Sequence, residues 1–459
     1  MNINEDELLR LVQKYNVPGP RYTSYPTAVQ FSEKPDKQIL QDRFTHRSSK
    51  PSELSLYIHI PFCFSLCWYC GCTKIITRDQ DRGNVYLTYL EKEMQIHASY
   101  NHQKSTVKQI HFGGGTPTFL TPKQLRKLGK IIYTHFSIDD DVEFSVEIDP
   151  RRCTEEHVAA LKEIGCNRAS LGVQDTNQEV QEAIHRIQPY EKTEEITNLL
   201  RKYGIDGINF DLIYGLPKQS LESFSKSLRD VLRLNPDRLA IYSYAHVPSI
   251  MPAQKLLNEE DFPSSEEKLG MLVHAITNLP NSGYDYIGMD HFAKQSDELG
   301  KALKKGTLHR NFQGYSTHAE LDMIALGMSG ISQEKGLYYQ NEKDLNRYYE
   351  MLDNGELPIA KTLKLSDEDL LRKKVIMQIM CRAEINYNQF FKETGLDFKT
   401  TFSEEMEQLH HFEADGFLFM LEDSLKITSL GRLFLRNVAM VFDGYLNTSL
   451  HQQAYSKTI

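Results

Sequence analysis

Between Leu54 and Tyr244, short apolar or β-branched runs recur at Leu54–Ile60, Val107–Phe112, Val142–Ile148, Arg168–Val173, Gly207–Ile213 and Arg238–Tyr244. Stretches with helical spacing lie between most of them, as at Tyr86–Ser99, Thr121–Phe136, Thr154–Ile164 and Tyr190–Tyr203. Runs this short, bounded by turn residues, have the length of strands. Six strands alternating with helices predict a parallel sheet, and right-handed crossovers curl it towards a partial (β/α)6 TIM-like barrel. Function then belongs at the C-terminal ends of the strands.

The pattern differs on either side of this core. Glu5–Tyr15 is helix-prone, and the Pro18-Gly-Pro-Arg-Tyr-Thr-Ser-Tyr-Pro-Thr27 stretch is too rich in proline and hydroxyls for a helix, so residues 1–50 are expected to form an N-terminal arm. Residues 51–335 read as the barrel and an extension of it. That extension holds a strand-like run at Tyr284–Met289 and a basic, aromatic stretch at Leu308–Tyr315, which suits either a pocket wall for an aromatic anion or a solvated loop. From 336 to 459 helices dominate. Ser366-Asp-Glu-Asp369 is a capping signal ahead of Leu370, Leu371, Val375, Ile379 and Met380 at helical spacing. Ser403–Ala414 fits a second helix, Phe417–Leu421 and Leu425–Ile427 a hairpin, and another helix starts at Ser429. A small, mostly helical, winged-helix-like domain follows. Because it is not notably basic, a lid or packing role suits it better than DNA binding.

Chemistry collects at the strand ends. Directly after the first run, Cys63, Cys67 and Cys70 stand at C-x3-C-x2-C spacing, and four of the chain's seven cysteines lie between Cys63 and Cys72. Structural zinc is closed by four ligands, usually in two separated pairs, whereas iron–sulfur clusters are held by thiolates on closely spaced runs. Cys72 is expected to diverge from Cys70, which leaves three cysteines for a four-iron cluster with one iron open to a ligand. A zinc loop and three buried structural cysteines are the alternatives. The other strand ends carry Gly113-Gly-Gly-Thr-Pro-Thr118, Glu147-Ile-Asp149-Pro, Gly172-Val-Gln174-Asp175 and Asp211-Leu-Ile-Tyr-Gly215-Leu-Pro217. Glycines at such a position let backbone approach a ligand and offer N–H groups to an anion. Each motif alone is turn chemistry, but around one mouth they make a site.

Composition narrows the classes. At 40% hydrophobic and 25% charged residues the chain is an ordinary globular protein. A net charge of −9 argues against a general nucleic-acid binder. The first residues lack the basic and apolar regions of a signal peptide, and no run approaches the ~18 apolar residues of a membrane span. An odd number of cysteines and an oxidation-sensitive loop fit a reducing, cytoplasmic setting.

Together these motifs resemble the oxygen-independent coproporphyrinogen III oxidases of the radical S-adenosylmethionine superfamily. The resemblance rests on P-R-Y-T-S-Y-P-T at 20–27, C-F-S-L-C-W-Y-C-G-C at 63–72, H-F-G-G-G-T-P-T at 111–118, S-V-E-I-D-P at 145–150, G-V-Q-D at 172–175, D-L-I-Y-G-L-P-K at 211–218, and the later G-M-D-H-F-A and H-R-N-F-Q-G-Y. It implies anaerobic conversion of coproporphyrinogen III to protoporphyrinogen IX in haem synthesis, started by a 5′-deoxyadenosyl radical. It further implies one [4Fe-4S] cluster on Cys63, Cys67 and Cys70, with Cys72 part of the pattern but not a ligand. By the same resemblance, S-adenosylmethionine, as one or two molecules, meets Tyr57, Tyr69, Gly114, Gly115, Thr116, Glu147, Gln174, Arg186, Asp211, Ala245 and Ile331. Two departures stand out. Trp68 replaces another aromatic, and His185-Arg186-Ile-Gln-Pro189 is a divergent setting for the arginine. The substrate's carboxylates need counter-charges, for which Arg21, His309 and Arg310 are candidates, with Tyr22 as a hydrogen-bond donor. A monomer served by an external electron donor such as flavodoxin or ferredoxin is expected, with no nucleic-acid or membrane partner. The rival readings are a haem-binding chaperone, a radical enzyme that opens or methylates haem, and, more distantly, a zinc-dependent regulator. Such chaperones lack the arm and the extra cysteine that this chain carries at Arg21–Thr27 and Cys72.

Overall fold

In the computed structural model, which describes residues 5–36, 38–40, 42, 52–100, 105–318, 321–446 and 455–458, the six apolar runs are strands: β1 (Glu53–Ile60), β2 (Thr106–Gly114), β3 (Ser137–Ile148), β4 (Arg168–Gln174), β5 (Gly207–Tyr214) and β6 (Arg238–Ser243). They lie side by side in that order and all run parallel. A parallel sheet covered on both faces needs near-continuous apolar strands. Leu54, Leu56, Ile58 and Ile60 of β1 accordingly have no exposed surface.

Helices α1 (Asp81–Ser99), α2 (Pro122–His135), α3 (Glu155–Glu163), α4 (Gln178–Ala183), α5 (Tyr190–Lys202) and α6 (Leu221–Arg233) connect the strands. Capping boxes start three of them, at Thr121 with Gln124, Thr154 with His157, and Ser220 with Ser223. Each box satisfies backbone donors that a helix start leaves orphaned.

A seventh parallel strand, β7 (Asp322–Leu326), lies on the other side of β1, in register from Leu54 with Asp322 to Ile58 with Leu326. From there β8 (Ile331–Glu334), β9 (Leu337–Asn341) and β10 (Ile359–Lys364) continue the sheet antiparallel. The turn between β7 and β8 is tied to α1 by a fully buried carboxylate. Glu93 Oε2 accepts from the Gly327 amide at 2.7 Å and the Tyr348 hydroxyl at 2.6 Å, and Oε1 accepts from Asn341 Nδ2 at 2.6 Å. Burial pushes Glu93 up to about 7 even against these three donors. Beside it the Tyr86 hydroxyl donates to the His59 carbonyl at 2.8 Å and accepts from the Met328 amide at 3.0 Å.

Two compact units divide the chain. The barrel unit comprises Phe31–Pro263 and Glu320–Lys364, and the second unit Met1–Gln30, Ser264–Ala319 and Leu365–Ile459. The linear division at residues 50 and 335 therefore does not coincide with them. The sequence extension splits between both units, and the arm's first part joins the C-terminal helices. The end of the expected arm, 43–50, lies outside the described residues.

In the second unit the helix Glu5–Tyr15 ends on aromatic packing. Tyr15 sits 5.2 Å from Phe412 and 4.9 Å from Phe417, ring centre to ring centre. Arg436 fastens the arm by donating to the carbonyls of Gly19 and Pro20. The expected hairpin is present as Leu418–Met420 and Ser424–Ile427, and it gains a third strand, Glu384–Asn386, beside helices Asp367–Arg382 and Ser403–Ala414. Gly431–Phe434 is a 3-10 turn, so the last helix starts at Leu435 rather than Ser429. The run Tyr284–Gly288 pairs with His291–Lys294, and His309–Asn311 pairs with Gly314–Ser316 as a second short hairpin.

Candidate active site

The cysteine loop leaves the end of β1 and is closed at its base. Phe62 and Cys63 pair in parallel with Ile75 and Ile76, and the Thr77 amide donates to the Cys63 carbonyl at 2.9 Å. The chain following α4 holds the loop's other side. The Trp68 amide donates to the Ile184 carbonyl at 3.1 Å, and the Trp68 indole stacks on the His185 ring, 5.1 Å between centres and 12° apart. Trp68 and the His185–Pro189 stretch, singled out separately in the sequence, thus meet in one contact.

Each thiol of the loop meets a different donor. Thr116 Oγ1 stands 3.4 Å from Cys63 Sγ. Arg151 Nη2 and Arg186 Nη1 donate to Cys67 Sγ at 3.5 and 3.6 Å. The Cys72 amide donates to Cys70 Sγ at 3.4 Å. Burial pushes the Cys63 thiol up to about 11, whereas hydrogen bonding from Cys72, helped by Lys74, lowers Cys70 to about 6. The expectation that Cys72 diverges from Cys70 is corrected here. Residues two apart in extended chain share a face, and the Cys72 side chain hydrogen-bonds Cys70. Among the described residues no three His, Cys, Asp or Glu side chains close on a single ion.

The neighbouring strand ends supply polar groups of both signs. After β2, Gly114 has φ +111°, and a Cβ on Gly115 would lie 2.7 Å from the Pro61 carbonyl carbon, so neither position has room for a side chain. Glu147, at the end of β3, accepts from the Gly114 amide at 3.2 Å and from His111 Nε2 at 3.3 Å. The Tyr57 ring stacks on that His111, 5.8 Å between centres, and its hydroxyl meets His59 Nδ1 at 3.1 Å. A bulge between Gly172 and Gln174 gives Gln174 a φ of +66° and turns its side chain at the end of β4. Arg186 donates to the Gly172 carbonyl at 2.7 Å and to Asp149 at 3.4 Å, while its buried Nε has no hydrogen-bond partner among the described residues. Burial raises the carboxyl of Asp149, but Arg186 and Arg151 outweigh it and hold Asp149 at about 2. Asp211 goes the other way. Burial, reinforced by the charge of Glu147, pushes it up to about 6 against hydrogen bonds from Ser170 at 2.7 Å and Asn209 at 2.9 Å.

Tyr69 and Ala245 are joined by Gln254, whose Nε2 donates to both carbonyls at 3.2 Å. Ile331 opens β8, after the turn whose Ser329 hydroxyl approaches His59 Nε2 at 3.5 Å. Every proposed cluster and cofactor residue thus falls in the barrel unit. The four substrate candidates fall in the second unit. There Arg21 pairs with Asp290 at 2.9 Å, and His309 lies opposite Ser316 in its hairpin. Arg310 donates from Nε to the Tyr22 carbonyl at 3.3 Å and lies over the Tyr315 ring, with Nη1 buried and unpartnered among the described residues. The Tyr22 hydroxyl donates to Asp443 at 2.9 Å, which commits it to anchoring the arm rather than to a ligand. Sequence reasoning missed Arg151 and His59, and quoted His111 at the head of H-F-G-G-G-T-P-T without giving it a role. The only signal for the first is the Arg151-Arg152 pair after Asp149-Pro150, and for the histidines their place among apolar strand residues.

Three cysteines at this spacing after the first strand of a parallel barrel define a radical S-adenosylmethionine protein, and the radical SAM superfamily model matches residues 57–231. The HemN C-terminal domain model matches residues 365–434. The chain belongs to the oxygen-independent coproporphyrinogen III oxidase family, whose cofactors are a [4Fe-4S] cluster and S-adenosylmethionine. It is 45% identical to the member from Pseudomonas aeruginosa over 453 residues, covering 98% of each chain. It is also 44% identical over 449 residues to a Helicobacter pylori member, covering 97% of this chain and 98% of that one. A solved structure of coproporphyrinogen III oxidase (HemN) from Escherichia coli, a radical SAM enzyme, matches with a TM-score of 0.91 at 41% identity, over 95% of this chain and 99% of that chain. Among the described residues no helix is long and apolar enough to cross a membrane.

Proposed function

We propose that this chain oxidatively decarboxylates two propionate side chains of coproporphyrinogen III to vinyl groups, giving protoporphyrinogen IX without oxygen. Near-full-length similarity to oxidases of that name, at 41–45% identity, supports the reaction, and the cysteine loop at the end of β1 carries it. Cys63, Cys67 and Cys70 hold the cluster. A cluster held there would supply the electron that splits S-adenosylmethionine into methionine and a 5′-deoxyadenosyl radical able to take a hydrogen atom from a propionate β-carbon. Loss of carbon dioxide and one electron to an external acceptor then leaves the vinyl group.

The residues around the loop have the chemistry the cofactor requires. Its ammonium and sulfonium need anions, for which Glu147 and Asp211 stand ready. Its carboxylate needs a donor, which Arg186 Nε offers, while the Gly114–Thr116 turn lets backbone approach it closely. Tyr57, Tyr69 and Gln174 pack and orient it, and Ala245 and Ile331, at the start of β8, complete the candidate contacts for one or two molecules. Arg21, His309 and Arg310 are candidates for the substrate's carboxylates, Arg310 having an N–H unspent. A one-electron donor of the flavodoxin or ferredoxin kind completes the system.

The test is anaerobic turnover with reconstituted protein, S-adenosylmethionine, a reductant, coproporphyrinogen III and an electron acceptor. Protoporphyrinogen and carbon dioxide should form with the wild type and vanish with Cys67→Ser. Cofactor cleavage without product, alongside tight haem binding, would overturn the oxidase reading in favour of a binding role.

A further inference from the structure

We propose that Arg151 sets the reduction potential of the cluster through a charged hydrogen bond to the Cys67 sulfur, with Asp149 as its counterweight. This rests on the cysteine assignment above. The three thiols are not treated alike. Cys63 faces a hydroxyl, and Cys70 the amide and thiol of Cys72 with the Lys74 ammonium nearby, whereas Cys67 faces two guanidinium groups, Arg151 at 3.5 Å and Arg186 at 3.6 Å. Arg151 is held for this purpose. Its Nε and Nη2 clasp Asp149 at 2.9 and 2.7 Å, and its own amide donates to the same carboxylate at 3.1 Å. The side chains of Asp149, Arg151 and Arg186 are only 12%, 17% and 7% exposed, so water screens them little.

Two cations and one anion leave one uncompensated positive charge beside Cys67. Hydrogen bonds to the sulfurs and local charge are among the factors that fix an iron–sulfur potential. Gaining an electron makes the cluster more negative, so a net cation favours the reduced form and makes reduction easier for the donor. Arg151 is a positioning residue. It acts through a ligand sulfur and through its charge. Because Arg151 and Asp149 carry opposite charge at the same place, their removal must move the potential in opposite directions, which simple loosening of the loop would not do.

The experiment reconstitutes the full-length wild type, Arg151→Gln, Arg151→Lys and Asp149→Asn anaerobically. It measures iron and sulfide content, then the midpoint potential by redox titration followed by electron paramagnetic resonance, without substrate. In Arg151→Gln the ratio of reduced to oxidised cluster at a fixed donor potential should fall about tenfold, equivalent to about 59 mV for one electron. Arg151→Lys should recover most of that shift, and Asp149→Asn should move the potential upwards. An Arg151→Gln protein that carries a full cluster at the wild-type potential would overturn the proposal. So would one that takes up no cluster where the wild type does, because Arg151 would then only be holding the loop. Failure of the wild type to take up four irons strikes the cysteine assignment instead.

Discussion

Glu93 gives the barrel unit a pH dependence opposite to that of a salt-bridged carboxylate. Burial raises this group from an ordinary 4.5 to about 7, although the Gly327 amide, Tyr348 and Asn341 all donate to it. The folded chain therefore keeps a proton that the unfolded chain has released between about pH 4.5 and 7. Below that window both states are protonated and stability is intact. It falls as pH rises through the window and levels off above it. The span from 4.5 to about 7, at about 1.36 kcal/mol per pH unit, amounts to about 3 kcal/mol. The measurement is chemical denaturation of the cluster-free wild type and Glu93→Gln, compared at each pH from 4.5 to 8. Glutamine keeps an acceptor for the turn and cannot ionise, so the stability difference should move by about 3 kcal/mol in the variant's favour across that range. A difference that stays constant with pH would show Glu93 to be ionised in the fold, with its three donors outweighing burial. The consequence reaches the site, since the turn that Glu93 holds carries Ser329 to His59 and leads into Ile331.

Other substitutions probe the cradle and the substrate candidates. Gly115→Ala would place a methyl 2.7 Å from backbone atoms of Pro61, which cannot swing aside as a side chain can. Thermal unfolding should report a loss of about 1–3 kcal/mol, accompanied by poorer cluster retention. Unchanged melting and iron content would show that the turn has slack. Arg21→Ala and Arg310→Ala each remove a hydrogen bond from a charged donor, worth about 1.5–3 kcal/mol. Either should raise KM for coproporphyrinogen III about 10- to 100-fold with kcat little changed, and an unaltered KM would exclude that arginine from substrate binding.

How much of this was legible in the sequence depended on the distance over which each residue finds its partner. Strands β1 to β6 were readable because burial on both faces demands short apolar runs, and the residues at their ends stand where the alternation places them. Asp322–Leu326 is as apolar as those runs, yet its place beside β1 was hidden, because the chain first passes through Ser264–Ala319 in the other unit. Tyr22 resembled a cleft-facing donor until Asp443, 421 residues later, took its hydroxyl. Arg151 followed by Arg152 looks like a solvated turn, and nothing local reveals that the first of them faces Cys67. The relation of Cys70 to Cys72 needed only correct attention to the two-residue repeat of extended chain.

The late arrival of β7 has a bearing on shortened chains. Strand β1 takes β2 on one side, but on the other its backbone waits for residues 322–326. Any chain that ends before Asp322 presents β1 as a bare sheet edge, with unsatisfied amides and carbonyls directly upstream of the cysteine loop. Such an edge is a template for pairing with another chain. A fragment cut to strands β1 to β6 and the cysteines would thus keep every proposed iron ligand and still invite self-association at the strand that carries them.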